Sequence, residues 1–330
     1  TTETLYCFGE TRDSKSRYSW RKVSPVIEAG MPTALQGVPA EVLIRPRESV
    51  QFMIRGVDAN GFVTGTYDPA EAAWRKFIPA TAKVSSEMNA DFNEYGELVA
   101  GPEQVPSAGA FEVTIGGLKG TIRGRVLPDL PLREDFEGFA ATVPHRTESG
   151  MKFAYPPLPW IGARFKWEVR EIDGNMVLAK TLDRVLFQRA TTFIGHPDMK
   201  NYTFTADVMT EGNRRVMSTA GVINQRYVIA LLGNAQRLEV SSNHERIKVS
   251  VPFEWRPKIW YRLKTRVNVA AGGSGVVYAK AWKRGEQEPD VWTITIPHRT
   301  AHTNGAPGLF GFAPQSQFRV YIDNIEITQN

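Results

Sequence analysis

Residues 260–282, WYRLKTRVNVAAGGSGVVYAKAW, decide how the second half of the chain reads. Tyr261, Leu263 and Val267 alternate with Arg262, Lys264 and Arg266. Beyond the glycine-rich stretch Ala271–Gly275, Val277, Ala279 and Ala281 alternate with Tyr278, Lys280 and Trp282. Side chains point to opposite faces along a strand, so each run is a strand with one apolar face. A hairpin joining the two places Arg262, Lys264, Arg266, Tyr278, Lys280 and Trp282 on one outward face. Aromatic rings beside guanidinium and ammonium donors are what a glycan or acidic-polymer site needs. In AGVINQRYVIALL, Asn224 and Arg226 extend that face. The plain alternative is a wet sheet surface on which Lys and Arg stems cover apolar area.

The same period of two runs through most of the chain, with short strands between turn residues, which predicts an all-β protein built of sandwiches. At 330 residues the chain suits more than one domain. Asp58-Ala59-Asn60-Gly61 reads as a turn, since Asn-Gly takes positive φ cheaply. The best helical candidate is TYDPAEAAWRKF at 66–77, where Pro69 and Pro79 allow about two turns. The formal net charge of +5 is modest, and the acidic residues are interspersed with the basic ones. Without a Lys/Arg block or a recognition motif, nucleic acid is not an expected partner. No apolar run approaches the roughly 20 residues that span a bilayer. Cys7 is the only cysteine, which excludes a disulfide framework within the chain and a multi-thiolate metal site.

Residues 38–127 resemble a bacterial Ig-like domain. The resemblance rests on the Val57-Asp58-x-x-Gly61 turn, Trp74, the Asn93–Leu98 turn and the Ser107-Ala108-Gly109 entry to a glycine-rich last hairpin, taken in that order. Residues 128–330, from the Pro128-Asp129-Leu130-Pro131 boundary onward, resemble a concanavalin-A-like (laminin-G-like) jelly-roll sandwich, as in bacterial families related to 3-keto-disaccharide hydrolases. This second resemblance is carried by Phe165-x-Trp167-x-Val169, Asn201-Tyr202-x-Phe204-x-Ala206-x-Val208, Trp260-Tyr261-x-Leu263, Ala281-Trp282 and Val320-Tyr321-Ile322-Asp323-Asn324-Ile325. Residues 1–37 read as a terminal strand and a linker, and within them Thr4–Gly9 resembles the strand that closes a blade in β-propellers of the pyrroloquinoline quinone repeat type. It implies that the chain is the C-terminal part of a larger protein, with a preceding propeller as partner and a periplasmic, cell-surface or secreted location. An edge strand of the Ig-like domain is the alternative for those six residues.

Catalytic signatures are sparse. P-loop, dinucleotide and Gly-x-Ser-x-Gly patterns are absent, and Ala271–Gly275 reads as a hairpin turn. His298 and His302 have zinc-helix spacing, but Pro297 and Asn304-Gly305 put them in a loop, where the spacing loses its geometric meaning. His244-Glu245 lacks the second histidine of a zincin helix. Glu171-Ile172-Asp173 begins like a glycanase carboxylate motif, but Met176 stands in place of the third acid. Asp323 alone is too few oxygen ligands for calcium. The expectation is therefore a non-catalytic module without cofactor or metal that binds a glycan or polysaccharide. Two alternatives stay open: a glycosidase using scattered loop acids, and a structural role against the inferred propeller.

Overall fold

The computed structural model describes residues 28–139, 145–146, 150–182, 188–213 and 215–330. The inferred propeller strand Thr4–Gly9 lies outside the described residues. The chain is all-β, and it forms two sandwiches.

The first contains β1 (Ala34–Val38), β2 (Glu41–Ile44), β3 (Ser49–Gln51), β4 (Met53–Val57), β5 (Val63–Tyr67), β6 (Ala73–Phe77), β7 (Ala90–Phe92), β8 (Glu97–Ala100), β9 (Ser107–Ile115) and β10 (Leu118–Val126). These make sheets of order β1-β4-β5, β2-β10-β9-β6 and β3-β8-β7 around Ile44, Phe52, Met88, Leu98, Phe111 and Ile122. The expected turn at Asp58 is present: its carboxylate accepts the amides of Gly30, Asn60 and Phe62, and Gly61 takes φ +85°. Two expectations need correction. Residues 34–37, read as linker, belong to β1, which pairs antiparallel with β4. The helix expected over 66–77 is a single 3-10 turn at Pro69–Glu71 followed by β6. Asp68 caps that turn through the Ala70 amide, and Trp74 then stacks on Phe92 at 3.8 Å, so burying the indole in the sandwich overrides local helix propensity.

The second sandwich begins at β11 (Leu132–Glu134), past the prolines 128 and 131. The two-residue strands β12 (His145–Arg146) and β13 (Lys152–Phe153) pair with each other. The rest are β14 (Trp167–Ile172), β15 (Asn175–Lys180), β16 (Arg189–Phe193), β17 (Tyr202–Thr210), β18 (Thr219–Asn224), β19 (Tyr227–Leu232), β20 (Arg237–Ser241), β21 (Lys248–Pro252), β22 (Tyr261–Val269), β23 (Gly275–Lys283), β24 (Ile294–His298), β25 (Gly308–Phe312) and β26 (Val320–Gln329). An eight-stranded sheet runs β14-β15-β26-β17-β22-β23-β24, with β11 also on β26, and faces a six-stranded sheet of order β16-β25-β18-β19-β20-β21. Inward residues alternate with outward ones in both, and Trp167, Tyr202, Phe204, Tyr227, Leu238 and Leu263 fill the space between.

Tyr202 ties this core to the loops at one end. Its buried hydroxyl accepts the Gln225 amide and donates to the Gly305 carbonyl, both at 2.9 Å. Gln225 Nε2 also donates to the His302 carbonyl at 2.8 Å. The β18–β19 turn and the β24–β25 loop are thus held together. Replacing Tyr202 by Phe leaves a buried N–H and C=O unpaired, so Tyr202→Phe is expected to lower stability by about 1–3 kcal/mol. A reduced urea midpoint at unchanged slope checks this.

Candidate functional site

The hairpin expected over residues 260–282 forms, as β22 and β23 paired antiparallel. Arg262 faces Trp282, Lys264 faces Lys280, and Arg266 faces Tyr278 across β22 and β23. All six side chains therefore lie on the outer face of the eight-stranded sheet, away from the core that takes Tyr261, Leu263, Val267, Val277, Ala279 and Ala281.

These six residues divide by their partners. Arg262 clasps the buried Asp207 of β17 with two hydrogen bonds of 2.7 and 3.0 Å, which raise its own pKa. Arg284 also reaches Asp207 at 3.3 Å, and Asn324 donates to it at 3.0 Å. A register shift between β17 and β26, with Asn324 at φ +46°, brings Asp323 and Asn324 beside Asp207. Asp323 accepts from Asn175 and Asn324, and burial pushes its carboxyl up. This ion network fixes the middle of the sheet.

Toward the β24 edge, the loop between β23 and β24 folds back over the face. Glu288 takes Lys264 at 2.8 Å and Lys280 at 2.7 Å, and Lys280 donates to the Pro289 carbonyl at 2.6 Å. Burial alone would raise the Glu288 carboxyl, but the two lysines outweigh it and hold it below the usual range. Lys280 is buried beneath this loop, and Trp282, two residues along the same strand face, is buried as well. Trp292, carried by the same loop, lies over Lys280 at 4.8 Å and beside Tyr278 at 5.4 Å. Arg266 bonds only to Asn268 Oδ1, at 3.1 Å, and among the described residues meets no carboxylate. What remains available on this face is Arg266 with the half-buried rings of Tyr278 and Trp292, flanked by Lys264.

Asn224 and Arg226 do not extend the face. AGVINQRYVIALL is two strands, because Gln225 and Arg226 adopt positive φ of 45° and 71° and reverse the chain between β18 and β19. Asn224 is buried between the sheets and donates to the Tyr202 carbonyl at 3.1 Å. Arg226 projects from the turn on another side of the molecule, into a cavity of about 690 Å³ also lined by Glu239, Ser242, His244, Lys248 and His302.

At that cavity the structure assembles histidines that sequence spacing had separated. Tyr227 Oη lies 2.5 Å from His298 Nδ1, and His298 Nε2 lies 2.9 Å from Glu245 Oε2. The His302 amide donates to Tyr227 Oη, and Ser242 Oγ lies 2.8 Å from His302 Nε2. Thr300 donates to Glu245, whose carboxyl this bond and His298 hold below its usual range. Burial, then the nearby His244, Arg226 and His298, drop His302 to about 4. Burial raises the Tyr227 phenol. The segments Ser242–Arg246 and His298–His302 lie far apart in sequence, and only the meeting of the β20–β21 loop with the end of β24 joins them.

No family model and no curated protein matches this chain. Solved structures overlap it loosely. The marine PL-14 alginate lyase from Aplysia kurodai shares 11% identity over 52% of this chain and 89% of its own, with a TM-score of 0.37. The alginate lyase Aly36B bound to an alginate tetrasaccharide shares 10% over 61% and 97%, at 0.35. An endo-β-1,4-glucuronan lyase from Trichoderma reesei shares 12% over 61% and 95%, at 0.33. At such TM-scores the likenesses carry no argument about this chain, so its chemistry rests on its own residues.

The division of the face predicts a split between neighbouring arginines. Arg262→Ala removes two charge-assisted bonds from a buried carboxylate and is expected to cost about 1–2 kcal/mol, reduced by the partial exposure of Arg262. Arg266→Ala is expected to stay within about 0.5 kcal/mol of the parent chain. Thermal or urea unfolding of the two variants checks the difference.

Proposed function

We propose that this chain is a carbohydrate-binding module that takes an acidic glycan on the outer face of the eight-stranded sheet, at Arg266, Tyr278 and Trp292. One observation carries the reading: a guanidinium that meets no carboxylate among the described residues stands directly across the strand pair from a partly exposed tyrosine that is itself packed on a tryptophan. A sugar ring lies against aromatic faces, and the planar fork of Arg266 matches a carboxylate on that sugar. Lys264, half neutralised by Glu288, adds positive charge at the side. In this reading the role is binding rather than hydrolysis: Asp207 and Asp323, joined through Asn324 on this face, are buried and engaged by arginine and amide groups. In this reading the first sandwich is an Ig-like spacer, the second is concanavalin-A-like, and the chain works outside the cytoplasm as part of a larger protein. No described helix is long and apolar enough to cross a membrane.

Calorimetric titration with polygalacturonate, and with neutral dextran as comparison, tests the proposal. Saturable binding to the acidic polymer is expected, weakened by added salt. Arg266→Ala and Trp292→Ala are each expected to lower affinity about tenfold, equivalent to about 1.4 kcal/mol. Binding that neither variant changes would place the site elsewhere. Chain cleavage during the titration would overturn the non-catalytic role.

A further inference from the structure

The histidine cluster at the end of the second sandwich is unused by that function. The ligand atoms of His244, Glu245 and His298 lie within 4.8 Å of one another. Zinc bonds of about 2.0–2.1 Å in tetrahedral geometry need donors about 3.3 Å apart. His298 Nε2 and Glu245 Oε2, at 2.9 Å, are already near that separation, so only the exposed His244 ring has to swing inward.

Three features favour a metal over a chain of hydrogen bonds alone. Adjacent residues in an extended segment point apart, yet His244 and Glu245 both reach the same point. They do so because Glu245 and Arg246 both take φ +52°, a left-handed conformation that costs free energy for residues other than glycine. Second, the ring of His298 is oriented from behind. Tyr227 Oη accepts the His302 amide and, in the ligating tautomer, the Nδ1–H of His298 as well, which holds the ring with Nε2 directed at the cluster. A ligating histidine is typically held through its other nitrogen in this way. Third, Glu245 has one carboxylate oxygen engaged by Thr300 and the other turned to His298, as a monodentate ligand would be.

We propose that His244, Glu245 and His298 form a binding site for a zinc-class divalent cation. Two imidazoles and one carboxylate are the donor set of a borderline-soft metal rather than calcium or magnesium, which take oxygen ligands. In the metal-free site the Nε2–H of His298 donates to Glu245; with the ion on the Nε2 lone pair the ring keeps its one proton on Nδ1, so the neutral imidazole changes tautomer and gives up a proton to solvent only if it starts as imidazolium. His244 also lines the 690 Å³ cavity, so a coordination position not filled by protein opens toward Arg226 and Lys248. These cations suit an anionic group as the outside ligand.

The test is titration of the chelator-treated 330-residue chain with zinc chloride by calorimetry, and with cobalt(II) by visible absorption. One equivalent of zinc is expected to bind, with the intense cobalt bands of four-coordinate N/O ligation. His244→Ala and Glu245→Gln, both at exposed positions, are each expected to weaken binding at least tenfold, whereas Lys83→Ala, at an exposed position in the first sandwich, leaves it unchanged. An absence of saturable binding, a weak six-coordinate cobalt spectrum, or affinity retained in both ligand variants would overturn the site.

Discussion

The hydroxyl of Tyr202, buried between the two sheets, is the constraint on which the functional end of the second sandwich depends. By accepting from Gln225 and donating to Gly305 it fixes a chain reversal whose two central residues, Gln225 and Arg226, both sit at positive φ. That reversal sets the start of β19 and hence Tyr227, whose own hydroxyl meets the His302 amide and His298. An unpaired polar group in so apolar a core is costly, and this turn satisfies the Tyr202 hydroxyl as both acceptor and donor. One buried phenol thereby registers the six-stranded sheet against the edge of the eight-stranded one.

The outer face of the large sheet follows a different logic. Its centre is an ion network in which Asp207 is surrounded by Arg262, Arg284 and Asn324, and its β24 edge is covered by a loop whose Glu288 gathers two lysines. Positive charge on the strands is therefore mostly spent on internal partners. Arg266 is the guanidinium of this hairpin that the network leaves out, and it lies beside the rings that the loop carries to the surface. The proposed glycan site is what remains after the sheet's own charges are satisfied.

Alternation made the hairpin of residues 260–282 legible, down to the six residues of one face, because a half-buried strand writes its burial into a period of two. The same rule failed at Asn224 and Arg226. It assumes an unbroken strand, and nothing in Asn-Gln-Arg-Tyr announces a two-residue turn built without glycine. The helix at residues 66–77 failed because local propensity cannot register that Trp74 stacks on Phe92, eighteen positions away in sequence. Loop geometry was illegible for a related reason. His298 and His302 were judged by helical spacing, and His244-Glu245 by the lack of a nearby histidine, whereas the cluster arises from two loops meeting in space. The fold-back that brings Glu288 and Pro289 onto Lys280 was equally invisible, since an acidic, proline-containing loop reads as solvated.

The most direct test of the account is a crystal structure of the chain grown with a galacturonate oligosaccharide. The account expects sugar density across Arg266, Tyr278 and Trp292, with a uronate carboxylate on the guanidinium and Arg262 still clasping Asp207. Sugar bound only in the cavity beside His244, or on neither surface at saturating concentration, would contradict it.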